Sequence, residues 1–70
     1  MLEVKISNQL DLKDQRTLCY VQNEDQLEAL VNEMASAFER PMVDQFDETR
    51  QCWGITANGK QIFIDGYEIK

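Results

Sequence analysis

The run NEDQLEALVNEMASAFERP, from Asn23 to Pro41, carries the longest helical pattern in the chain. Asn23 suits an N-cap, and Gln26 three positions on completes a capping-box pattern. Glu24 and Asp25 put negative charge where the helix dipole favours it. Leu27, Leu30, Val31, Met34 and Phe38 recur at the spacing of one apolar face, with Ala35 and Ala37 on its flanks. Pro41 cannot continue the ladder and disfavours helical geometry at Arg40, so the pattern predicts a helix ending near Glu39.

On either side of this run the period changes to two. Leu2, Val4 and Ile6 alternate with Glu3 and Lys5, as in a half-buried strand. Thr17 to Val21 is β-branched, aromatic or apolar and fits a second strand. Leu10 and Leu12 alternate with Asp11 and extend one of these strands across a hairpin. Beyond the helix, residues 51–57 and 60–65 flank Asn58-Gly59, the dipeptide that supplies the positive φ angles of a type I′ turn. Gly66 breaks the second of these runs. Residues 42–50 fit a loop or a single helical turn anchored by Val43 and Phe46. The expected architecture is a single α+β domain over residues 1–70. It has a four-stranded, mostly antiparallel sheet with one amphipathic helix on one face, in the order ββαββ. The second face is left to solvent, to a partner or to a second copy.

Seventy residues, 43 % of them apolar, bound one small ordered domain. No apolar run approaches the roughly 18 residues of a membrane span, and the N-terminus lacks the basic-then-apolar order of a signal peptide. Cys19 and Cys52 lie far apart without CxxC spacing, as expected of buried reduced thiols in the cytosol. The chain has no histidine, which removes the commonest general base and a frequent metal ligand.

Charge is the strongest functional signal. Residues 23–49 hold eight acids against Arg40 alone, a net −7, while the rest of the chain holds five acids against six bases, a net +1. Such a field repels nucleic acid and anionic lipid and steers toward basic partners. At about 100° per residue, Asp25, Glu28, Asn32 and Glu39 share one helical band about 60° wide. That band runs about 21 Å from Asp25 to Glu39, and Asp44, Asp47 and Glu48 follow it. Such a row suits a basic groove, in the manner of nucleic-acid phosphates. Trp53 shares parity with Ile55, whereas Phe63 opposes Ile62 and Ile64. A large aromatic off the core side would anchor a protein contact.

The chemical alternatives are thin. Asp44-x-x-Asp47-Glu48 lacks the glycine and rhythm of a calcium loop, and Asp65 with Glu68 is a bare carboxylate pair. Neither cysteine has an activating base. Gly54 to Lys60 has P-loop spacing, but Gln61 stands where the Ser or Thr belongs, and the Asn58-Gly59 hairpin accounts for the same residues. No catalytic residue, metal site or cofactor is expected.

By subtraction, the chain reads as a non-enzymatic protein-binding module, an inhibitor or regulator of a larger cytosolic protein with a basic surface. Its expected contact residues are Asp25, Glu28, Glu39, Asp44, Asp47 and Glu48, with Trp53 or Phe63 as an apolar anchor. In size, acidity and lack of chemical residues it resembles the small inhibitors that phages use against host defence enzymes, and equally small bacterial regulators. Two other readings are a homodimer through the free sheet face and a small carboxylate-dependent enzyme.

Overall fold

The computed structural model describes residues 1–8, 14–47 and 51–69. Its elements are β1 (Leu2–Ser7), β2 (Arg16–Val21), α1 (Glu24–Ala35), β3 (Met42–Asp47), β4 (Cys52–Ala57) and β5 (Lys60–Glu68). The strands form one antiparallel sheet in the order β2-β1-β5-β4-β3, and the helix lies across one face. The architecture is α+β as expected, but the sheet has five strands, giving ββαβββ in place of ββαββ.

The added strand is β3, in the stretch expected to be a loop or helical turn. Val43 points to the helix side and packs on the core, while Met42 and Asp44 point to the other face. With Val43 alone partly buried and Met42 and Phe46 exposed, its alternation is too faint to read from sequence. The pairing with β4 makes it a strand. The expected extension through Leu10 and Leu12 lies outside the described residues.

The core lies between α1 and the sheet. Leu27, Val31 and Ala35 of the helix meet Leu2, Val4, Ile55 and Ile64, all buried. Asn23 caps the helix as predicted, its Oδ1 accepting from Gln26 N at 3.0 Å. The Gln26 side chain reaches one residue further back than a capping box requires, its Oε1 accepting from Gln22 N at 2.8 Å.

The helix stops at Ala35, four residues before the expected end. Ser36 Oγ donates to the Glu33 carbonyl at 2.6 Å, and Ala37 N and Phe38 N donate to carbonyls three residues back. Local hydroxyl bonding and tighter turns of this kind compete with α-helical propagation. Arg40 then takes a φ of 53°, and Pro41 leads into β3.

Gly66 does not end its strand. β5 runs on to Glu68 because Gly66 lies beneath Leu27, where a Cβ would come within 2.7 Å of the leucine Cδ2. The glycine lets the helix approach the central strand. The Asn58-Gly59 turn forms as predicted, with φ of 54° and 75° at the two residues.

The face away from the helix is only partly open. Ser7, Cys52, Phe63 and Asp65 are buried there, although no helix covers them. The Phe46 ring covers Gly54 and stands 5.6 Å from the Phe63 ring, centroid to centroid. On the same face Gln15 Nε2 donates to Asp65 Oδ2 at 3.2 Å and to the Tyr67 hydroxyl at 3.0 Å. Lys5 Nζ lies 5.3 Å from the centre of the Tyr67 ring. Side chains of the chain itself therefore cover the middle of a face expected to be bare.

Candidate partner-binding surface

Asp25 and Glu28 come together as expected. Both are exposed on the first half of α1, and with Glu24 they edge a cleft of about 130 Å³. Gln45 of β3, Gln51 and Trp53 of β4 complete it. Helical spacing puts Asp25 and Glu28 on one flank, and that flank faces Gln45 of β3 across the cleft. Trp53 is half-buried on the helix side of the sheet, packed against the core, with the cleft beside it. Gln51 Nε2 donates to Glu24 Oε1 at 2.8 Å and ties the loop before β4 to the first helical turn.

The other expected contact residues separate. Because the helix ends at Ala35, Glu39 leaves the helical band and sits at the far end of the fold with Arg40 and Asn58. The row expected to run about 21 Å along one helix face is therefore broken after Asn32. Asp44 is exposed on the opposite face of the sheet, paired with Gly54. Asp47 closes β3 opposite Cys52, and Glu48 lies outside the described residues. Phe63 faces away from the helix, as its parity predicts, but it is only 6 % exposed and presents no anchor to a partner.

Several apolar side chains outside the expected contact set reach solvent from the edges of the sheet. Met42 and Phe46 on β3 are 63 % and 48 % exposed, and Leu18 and Tyr20 on β2 are 45 % and 57 % exposed. All four sit on the two edge strands, and exposure there follows from strand order, which the sequence does not carry.

Asp65 and Glu68 point to opposite faces, one fully buried and the other exposed. Among the described residues no group of three acids or cysteines could hold a metal ion. A larger concavity of about 580 Å³ lies beyond the helix stop, floored by Ile55, Ala57 and Ile62 and edged by Phe38 and Lys60. None of the expected site residues lines it. Cys19 faces the core and Cys52 the opposite face, and no disulfide joins them. No helix among the described residues is long and apolar enough to cross a membrane. The chain matches no family model, no curated protein and no solved structure.

Proposed function

We propose that this protein is a small, non-enzymatic binding module that inhibits or regulates a larger cytosolic protein through a basic surface on that partner. The observation that carries the reading is the uneven field. A net −7 is concentrated in residues 23–49 of a chain whose remainder is nearly neutral. Within that stretch, Asp25 and Glu28 edge the cleft beside the half-buried Trp53. Carboxylates around an aromatic side chain suit a lysine or arginine, which gains both charge pairing and a ring face. Charges set at an interface rim act chiefly on association rate and its salt dependence.

The break in the acidic row counts against the nucleic-acid-mimic version, which needs regular spacing over a length of helix. The burial of Phe63, Asp65 and Cys52 counts against a dimer through the middle of the second sheet face.

The test is affinity capture from native lysate with the wild-type chain and with Asp25→Lys/Glu28→Lys, each washed at low and high salt. A stoichiometric partner held by the wild type, shed at high salt and lost by the reversed variant supports the reading. A partner held equally by both chains removes the acidic flank from the interface.

A further inference from the structure

β3 has a strand on one side only. Its outer backbone groups have no strand partner among the described residues, and an unpaired edge is a template for another chain. The opposite edge, β2, is interrupted in its middle. Val4 pairs with Cys19 and Lys5 with Thr17, so Leu18 is an extra residue that bends the strand. On β3 the corresponding bulge falls at Phe46, near the end, and leaves Met42 to Gln45 in regular register with β4. The longer unbroken edge is β3.

Its chemistry is one-sided. Asp44 and the exposed Met42 and Phe46 face away from the helix, and Gln45 borders the cleft edged by Asp25 and Glu28. No base lies between Met42 and Asp47. We propose that an extended, basic segment of a protein partner adds to β3 as a further strand. Side chains alternate across a strand, so such a segment presents one set to Glu28 and Asp25 and the other to Asp44, Met42 and Phe46. Main-chain bonds to β3 supply affinity, and lysine or arginine on both faces supplies selection.

A second copy of this chain is the wrong occupant. Antiparallel pairing of two β3 edges with both helices on one side sets Asp44 opposite or diagonal to its counterpart. Like charges so placed destabilise a ladder. The same pairing turns the flanks bearing Glu24, Asp25 and Glu28 toward each other across the join.

This inference rests on the binding-module reading and adds where and how the partner docks. The test follows amide hydrogen exchange by NMR on the intact chain as a short alternating lysine–valine peptide is added. An N-methylated version and an alternating glutamate–valine peptide serve as controls. The proposal expects exchange at alternate amides of Met42 to Gln45 to slow by about tenfold or more with the lysine–valine peptide alone. Binding that shifts Asp25 and Glu28 but leaves β3 exchange unchanged overturns the docking edge and leaves the anionic module standing. Equal protection by the N-methylated peptide also overturns it, as does β3 protection that grows with protein concentration without peptide. Failure of the lysine–valine peptide to bind at all overturns it too, while the lysate capture tests the broader reading separately.

Discussion

The edge of the Phe46 ring stands over Gly54, so close that a Cβ on the glycine would overlap the ring's Cε2 and come within 2.8 Å of Cζ. Phe46 is the bulged residue of β3, and Gly54 pairs with Asp44, two residues before it. The bulge turns the ring inward over the bare backbone of β4, where it also meets Phe63. An aromatic laid across a strand glycine covers backbone that no side chain of that strand protects.

Gly54→Ala therefore forces the ring off its seat and is expected to cost about 1–3 kcal/mol, the usual range for overpacking. The same substitution in a Phe46→Ala background loses its collision, so the two changes are strongly non-additive. Urea unfolding of the four variants measures the coupling. Additive losses would show that the ring does not rest on Gly54.

Gly66 gives a test by sign. A glycine that merely weakens a strand is improved by alanine, by about 0.5–1 kcal/mol. Gly66 instead faces Leu27, itself 1 % exposed, and an alanine methyl at this position would stand 2.7 Å from the leucine Cδ2. Leu27 can give way only toward the small cleft that it borders, and doing so loosens its contacts with Val31 and Ile64 in the core. Gly66→Ala is expected to destabilise by about 1–3 kcal/mol, read as a lower urea midpoint. A rise in the midpoint would return Gly66 to the role of simple strand breaker.

These two glycines mark where the sequence stops being legible. Asn23, Gln26 and the Asn58-Gly59 turn act on neighbours within four residues, and all are readable from the chain alone. Gly66 answers to Leu27, 39 positions away, and Gly54 answers to a bulge in a strand whose apolar residues do not alternate. The helix ends earlier than its pattern predicts because Ser36 bonds back to Glu33 and tightens the turn, while the residues to Glu39 keep a helical composition. That one difference also breaks the acidic row. Asp25 and Glu28, three apart on regular helix, lie together as their spacing predicts. Glu39 and Asp44, whose positions depend on the helix end and on β3, do not join them.

The Asn58-Gly59 turn isolates a conformational cost from any contact. No atom lies within 4 Å of a Cβ on Gly59, yet its φ is 75°. Gly59→Ala is expected to cost about 1–2 kcal/mol from the left-handed backbone alone. Asn58→Gly keeps a residue that tolerates positive φ and should change stability by less than about 0.5 kcal/mol. Thermal unfolding of the two variants gives the comparison, and an equal loss in both would mean that the asparagine side chain, not the backbone, holds the turn.

Asp65 is fully buried on the face that no helix covers, and Gln15, 50 positions earlier, donates a hydrogen bond to it. Gln15 Nε2 also reaches the Tyr67 hydroxyl, two residues along the same strand face. A bond to a buried carboxylate contributes about 1.5–3 kcal/mol, and a neutral bond about 1 kcal/mol. The Tyr67 hydroxyl also donates back to Gln15 Oε1 at 3.2 Å, so Gln15→Ala removes the whole set and should cost about 2–4 kcal/mol. Tyr67→Phe removes only the neutral hydroxyl–amide contact with Gln15 and should cost about 1 kcal/mol. Because the two share Gln15, Tyr67→Phe made in the Gln15→Ala background should cost nearly nothing further. Urea unfolding of the single and double variants measures this. A full extra loss in the double variant would mean that Tyr67 is held by Lys5 or by packing, and that the amide is not what closes this face of the sheet.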